Sequence, residues 1–550
     1  MEKDTKSDPS LDGYGINVEA TRPGETGEYN LAAQHDQLER GLKSRHIQFL
    51  ALGGAMGTGL FVGSGGILHD TGPAPLFMAY LAMMLVVWVI MNNLAEMVTY
   101  LPMRGITVPY FVNRFVDPSL AFADGWNYWY AYAMLVAAEA TAAGIIIDYW
   151  QAPVNIAVWI AIVLVIMLLL NIVAVGFFGE AEFWFASIKL ITVCGLIILG
   201  FVIFFGGAPN QNSVLGFHFW KDPGAFVEYK STGSTGRFLG FWHAFVAAGF
   251  AFITSPELIA IAAGETIAPR RNIPKAARRF VWRLAIFYGF SSLVIGVIVP
   301  YNDPNLLGAD GSSKENASAS PFVIGIQRVG IPVLNHIING AILTSAWSAG
   351  NSFLYSGSRV LYSMSLTGQA PRCFGATNRF GVPYAAVLFT WTFGLLAFLN
   401  VSNSGATVFK WFTNISTVSG FIAWVVVMIT YLRFRRALEY NNLMHTRPYK
   451  TALQPYATYV MLVIVSLLVI TNGFQTFMPF SAKDFVAAYI TIPAFIVLYV
   501  GHKIWKRTPM YIPVDQIDAI SGKKEMDEME ALDEERVPKN WLQKVWFWLA

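Results

Sequence analysis

Runs of about twenty apolar residues follow one another from end to end of this chain, and no other feature limits its fold so tightly. They fall near 47–67, 74–100, 122–148, 153–173, 183–206, 238–263, 281–300, 336–362, 384–401, 408–432, 456–476 and 485–504. A helix of that length crosses a bilayer and satisfies its own backbone N–H and C=O groups, which lipid cannot do. The expected fold is therefore all-α and polytopic, with about twelve transmembrane helices. Composition agrees: 55% of the residues are hydrophobic and only 13% are charged. A formal net charge of +3 gives no reason to expect a nucleic-acid partner.

Three regions follow from the placement of charge. Residues 1–44 are polar, lean acidic and contain no short apolar core, so they read as a disordered cytoplasmic tail without a cleavable signal. Residues 45–505 form the membrane domain, and 506–550 a second cytoplasmic tail. Within that tail, 538–550 places Trp541, Leu542, Val545, Trp546 and Leu549 on one face, as in a short amphipathic helix lying against lipid. Arg40, Lys43 and Arg45 precede the first run, Arg270 to Arg283 follow the sixth, and Arg433 to Lys450 follow the tenth. Loops on the other side carry few cations, so both termini are expected in the cytoplasm. Asn316-Ala317-Ser318 then forms a weak glycosylation sequon in an outer loop, and Ser318 to Val329 a short outer helix.

The first run is interrupted by Gly53-Gly54-Ala55-Met56-Gly57-Thr58-Gly59. Each glycine costs about 1 kcal/mol relative to alanine in a helix interior. Bare backbone inside a membrane is tolerated only where protein or a watery cavity satisfies it. A half-helix starting near Thr58 offers N–H groups to a carboxylate, and one ending near Gly53 offers carbonyls to a cation. Close helix packing through Gly53/Gly57 and Gly59/Gly63 is the alternative. The sixth run repeats the interruption at Ala251-Phe252-Ile253-Thr254-Ser255-Pro256-Glu257, where Pro256 should open the helix at Ser255. Two broken spans at corresponding places in two five-helix halves point to a transporter with inverted repeats.

Three ionisable residues stand deep in the spans: Glu139, Lys189 and Glu257. Burial disfavours the charged form of a lysine, and a proton-coupled carrier needs a group that can release its proton. Lys189 is the first candidate, with a structural pair to Glu180 or Glu182 as the alternative. Glu257 adjoins the second break and can carry a proton or cap the reopened helix, while Glu139 is a candidate for substrate selection. Ser348, Asn351 and Ser352 share one face of the eighth span with Ser356, and either line a pathway or join helices. Phe252 is placed to cover an apolar substrate side chain. No metal-spaced cluster, phosphate loop or nucleophile elbow is present, Cys194 and Cys373 form no disulfide framework, and the histidines are scattered singly. Neither an enzyme nor a metal site is expected.

Taken in order, these residues resemble the fungal amino acid permeases, the yeast-type branch of the amino acid–polyamine–organocation superfamily. The resemblance rests on Arg45 to Gly65, Glu96-Met97 with Leu101-Pro102, and Phe115-Val116-Asp117-Pro118. It continues through Gly125-Trp126-Asn127-Tyr128-Trp129, Gly179 to Lys189, Pro269 to Ala276, Val299 to Pro304, and Asn351-Ser352 with Ser358-Arg359. It implies a LeuT-type 5+5 inverted repeat with helices 1 and 6 broken, and proton-driven amino acid uptake at the fungal plasma membrane. By that likeness the substrate carboxylate meets the Gly57-Thr58-Gly59 amides and its ammonium the carbonyls of the two breaks, with Lys189 standing where sodium carriers bind an ion. The cofactor expectation is none beyond the proton gradient. Ser255-Pro256-Glu257 departs from the usual pattern of the sixth span, as does Ala95 before Glu96, and Phe547-Trp548-Leu549-Ala550 lacks a terminal lipidation cysteine.

The expected function is an amino acid/proton symporter of neutral or broad specificity. A cationic amino acid, polyamine or carnitine permease, and an amino-acid-sensing receptor with low flux, are the alternatives. Lys3, Lys6, Lys523 and Lys524 on the tails suit a ubiquitin-ligase adaptor in each case.

Overall fold

A computed structural model describes residues 56–101, 107–150, 153–173, 175–253, 255–257, 269–306, 320–331, 333–401 and 405–523. The two terminal stretches 1–44 and 538–550, and with them Gly53, Gly54, Thr254 and Asn316, lie outside the described residues. Among the described residues the architecture is all-helical, and the sole bridge between extended segments is an isolated pair, Phe477 with Phe480.

The helices are α1 (Ser64–Thr71), α2 (Pro73–Tyr100), α3 (Val108–Phe115), α4 (Pro118–Asp148), α5 (Ile156–Ile172), α6 (Val175–Phe204) and α7 (Gly233–Phe252). They continue as α8 (Pro269–Leu284), α9 (Phe290–Ile298), α10 (Pro321–Arg328), α11 (Leu334–Leu366), α12 (Tyr384–Gly394) and α13 (Gly405–Tyr440). Last come α14 (Tyr456–Thr471), α15 (Ala482–Tyr489) and α16 (Thr491–Lys506). Among the described residues 8 helical segments are long and apolar enough to cross a membrane, or 9 if α15 and α16, bent by 44°, count as one span. The outer helix expected within Ser318 to Val329 is α10.

Local chemistry sets the starts of these helices. Asp117 caps α4, its carboxylate accepting from the Ser119 and Leu120 amides at 3.2 Å, and Pro118 takes the first-turn position where no N–H is needed. Asn155 caps α5 by accepting from the Ala157 amide at 2.9 Å. Between α1 and α2 the chain reverses at Gly72, whose φ of 91° is open to glycine, and a Cβ there would stand 2.8 Å from the Ala225 carbonyl oxygen.

α4 is the centre of the bundle. Its apolar window is 89% buried, against 33% for the span ending at Phe204 and 28% for Tyr456–Thr476. Ile191, Ile198, Val460, Val463 and Ile470 therefore stand outward on α6 and α14, as a lipid-facing surface requires. α4 packs against α11 and α13, with α3, α12 and α16 also touching it, while α2 packs on α7 and α8.

The basic end of the bundle is fastened by buried polar groups. Glu96 of α2 is fully buried; it pairs with Arg447 at 2.7 Å and accepts from Tyr431 Oη and the Thr451 amide, each at 2.8 Å. Lys503 of α16 pairs with Asp117 at 2.7 Å. The segment after α16 crosses this end: Tyr100 Oη donates to the Ala519 carbonyl at 2.9 Å, Arg433 to that of Ile512, and Arg114 to those of Asp518 and Ser521 at 2.7 and 2.8 Å. Partial burial pushes the Asp518 carboxyl up, but the Ser521 amide and the Arg114 guanidinium outweigh it and hold the carboxyl below its usual range. At the opposite end Asp303 pairs with Arg328 of α10 at 2.8 Å.

Removing one member of a buried ion pair leaves an uncompensated charge and costs about 3–5 kcal/mol. Glu96→Ala, which strands Arg447 and the Thr451 amide, is expected to lower the melting temperature of the purified full-length protein markedly. Arg435→Ala, which removes a 3.3 Å hydrogen bond to Tyr431 Oη and a 3.9 Å contact with the exposed Glu439 but leaves the Glu96–Arg447 pair in place, should lower it less.

Candidate functional site

The two breaks expected from the glycines and from Pro256 meet in the middle of the bundle. In the first span Met56 and Gly57 are bent, Thr58 takes up helical angles (φ −64°, ψ −17°), and a π-helical turn, Gly59–Gly63, leads into α1. The first amides of a helix have no partner within it, and at this break the Thr58 backbone faces the Glu139 carboxylate.

The second break lies earlier than Pro256 suggests. α7 ends at Phe252, Ile253 is extended (φ −56°, ψ 150°), and Ser255, Pro256 and Glu257 are already helical again. Pro256 thus sits in the first turn of the next helical segment, where its missing N–H costs nothing, instead of opening the helix at Ser255.

Side-chain hydroxyls reach backbone carbonyls at both breaks, those of Ala251 and Phe252 being at the end of α7. Ser345 Oγ donates to the Met56 oxygen at 2.9 Å and Tyr80 Oη to that of Gly59 at 3.2 Å. Tyr288 Oη donates to the Ala251 oxygen at 3.1 Å and Ser255 Oγ to that of Phe252 at 2.8 Å. The two breaks also touch directly: a Cβ on Gly59 would fall 2.6 Å from Ala251 Cα, whereas one on Gly63 would meet nothing nearer than 3.9 Å. The expected close packing is therefore real at Gly59 and absent at Gly63. Phe252, fully buried, sits between the rings of Tyr80 and Tyr288, with centroids 5.5 and 4.5 Å away.

Glu139 of α4 reaches the first break. It is 2% exposed, and a Cβ on Gly57 would stand 2.9 Å from its Oε1, while its Oε2 and the Thr58 hydroxyl make no hydrogen bond. Lys189 of α6 is 1% exposed, and Glu182 and Glu139 are among its charged neighbours. Glu182 in turn accepts from Ser348 Oγ at 2.8 and 2.9 Å. Asn351 accepts from Asn171 of α5 at 2.6 Å, so part of the polar face of α11 joins helices. Ser352 and Ser356 on that face are buried with free hydroxyls.

Glu257 stands apart from this group. Its Oε1 accepts from Tyr128 Oη at 3.2 Å, and its other neighbours are Trp424, Asp124 and Tyr132. The site thus holds two separate acidic clusters, one at each break. Among the described residues no group of three or more His, Cys, Asp or Glu side chains is arranged to hold a metal.

Reading the sequence alone missed Tyr80, Tyr288, Ser345 and Asp124. The tyrosines and the serine look like ordinary span residues until the carbonyls they satisfy are located. Asp124 was legible only as a residue near the edge of a run starting at 122, but α4 begins at Pro118 and carries it inside.

The amino acid permease family model matches residues 46–511. A proline-specific permease of Emericella nidulans is 55% identical over 538 residues, 98% of this chain and 96% of the relative. A probable proline-specific permease of Schizosaccharomyces pombe is 55% identical over 500 residues, 90% of each chain. A proline-specific permease of Saccharomyces cerevisiae is 48% identical over 547 residues, 98% of this chain and 84% of the relative.

Forcing a methyl group into a closed contact between backbones typically costs about 1–3 kcal/mol. Gly59→Ala is expected to lower the thermal stability of the purified protein, and Gly63→Ala to leave it close to wild type, as read by paired melting curves.

Proposed function

The chain belongs to the amino acid permease family, and we propose that within it this protein imports proline across the fungal plasma membrane as a proton symporter. One observation carries the choice of substrate: three relatives sharing 48–55% identity along nearly all of the chain are each named for proline. Proline is neutral, within the class expected from the sequence but narrower than a broad range. A cationic substrate would need an acidic partner, and Glu139 already stands beside Lys189. Like its relatives, the chain is a permease and not an enzyme.

In this reading the substrate carboxylate lies on the Gly57, Thr58 and Gly59 amides, where the half-helix dipole favours it. The secondary ammonium meets carbonyls of the two breaks, and Phe252 and Ile253 border the pyrrolidine ring. Gly53, Gly54, Thr254 and Ser255 complete the backbone around it, with Ser348, Asn351 and Ser352 along the route. Lys189, between Glu182 and Glu139, exchanges the coupled proton. The spans form about twelve helices in a LeuT-type inverted repeat that rocks around the site, with both termini cytoplasmic. No cofactor is needed beyond the proton gradient, and the tail lysines are available to a ubiquitin-ligase adaptor.

The test is uptake of labelled proline by a permease-deficient yeast strain expressing the full chain. Saturable uptake that falls as outside pH rises and collapses with a protonophore is expected. Lys189→Met should lose accumulation by about tenfold while retaining exchange of proline for proline. Absence of proline uptake, with the protein present at the cell surface, would overturn the reading.

A further inference from the structure

Asp124 stands in the interior of α4, 0% exposed, and neither of its carboxylate oxygens makes a hydrogen bond. One helical turn onward Tyr128 donates to Glu257 Oε1 at 3.2 Å, and Glu257 is itself 1% exposed with Oε2 unpartnered. Asp124 and Tyr128 lie at i and i+4, on one face of α4. The groups around the pair are Tyr128 and Tyr132 from α4, Glu257 from the resumed helix of the sixth span, and Trp424 from α13. Asp124 has Glu257 as its charged neighbour, and neither carboxylate makes an ion pair among the described residues. Lys189 belongs to the other cluster, with Glu182 and Glu139.

Two carboxylates enclosed in protein without a cation among the described residues cannot both be charged, so at least one proton is held between them. An unpartnered, fully buried aspartate is also a costly thing to retain for packing alone, because an alanine or asparagine would avoid the desolvated charge.

We propose that Asp124 and Glu257 form a second proton-binding site beneath the sixth-span break, in which one proton is shared through the polar pocket made with Tyr128, Tyr132 and Trp424. The inference rests on the proton-symport reading above and adds to it a site separate from Lys189. The ligand is a proton alone: it binds a carboxylate oxygen from water on one side and leaves to water on the other, with no covalent chemistry. Because Glu257 immediately follows the break, the charge on the pair is mechanically tied to the segment that must move when the sixth span rearranges.

The experiment uses the full-length protein reconstituted in proteoliposomes and compares two readouts. Proline accumulation driven by an inward proton gradient reports coupling, and counterflow of labelled proline at equal pH reports binding and movement without it. Asp124→Asn is expected to retain counterflow within about twofold, to lose gradient-driven accumulation by about tenfold and to flatten its pH profile. Asp124→Glu should restore the pH profile. Wild-type accumulation and pH dependence in Asp124→Asn would overturn the second site while leaving proton symport intact. Loss of counterflow in Asp124→Asn without rescue by Asp124→Glu would make the residue structural and also overturn it. A wild-type protein whose accumulation ignores the gradient would overturn the symport reading and this inference with it.

Discussion

The structure depends on one rule of the bilayer interior: a backbone carbonyl freed from its helix must find a donor within the protein. Two spans are broken at their centres, and the carbonyls of Met56, Gly59, Ala251 and Phe252 are each met by a hydroxyl, from Ser345, Tyr80, Tyr288 and Ser255. Three of those hydroxyls come from other spans, so the breaks are held open by α2, α11 and the helix leading into α9. Tyr80 and Tyr288 also enclose Phe252 between their rings, which joins polar satisfaction to aromatic packing at the same spot. The consequence is that a break is possible only where these partners converge, and the place where backbone is left available for a ligand is fixed by them.

The same rule explains how much of the molecule can be read from its sequence. Apolar runs and basic loops declare the spans, because length and hydropathy are properties of each segment alone. The first break is legible for the same reason: four glycines cannot hold a helix wherever they stand. The second is legible only as a region. Proline suggests a break at Ser255, yet the chain opens at Ile253 because the first turn of the following helix is the better place for a residue without an N–H. Likewise the spacing of Gly59 and Gly63 cannot say which of them touches a neighbour, since that depends on Ala251 arriving from another span. Glu139 and Lys189 announce themselves as charges in apolar runs. Asp124 does not, because only the cap at Asp117-Pro118 shows that its helix starts early enough to bury it.

The polar face of α11 shows why a stripe of small polar residues is ambiguous in sequence. Ser345 holds the first break, Ser348 holds Glu182 and Asn351 is held by Asn171, so these residues anchor helices. Ser352 and Ser356, one and two turns further, are buried with unused hydroxyls. A single face thus changes from fastening to unfilled polar lining within about two turns, and no periodicity distinguishes the two uses.

Charge balance separates the two breaks functionally. At the first, Lys189 faces Glu182 and Glu139, one cation between two carboxylates, with Ser348 occupying Glu182. At the second, Asp124 and Glu257 have no cation beside them among the described residues, and tyrosine and tryptophan side chains are their neighbours there. The first cluster carries one carboxylate more than its cation neutralises and the second carries two, so both hold protons more readily than isolated carboxylates do. The clusters are strung along nearly the same face of the central helix, α4, which contributes Glu139 to one and Asp124 to the other, about fifteen residues and four helical turns apart. On the proposed reading, a continuous α4 with one acid near each break lets two proton sites respond to one rearrangement without direct contact between them.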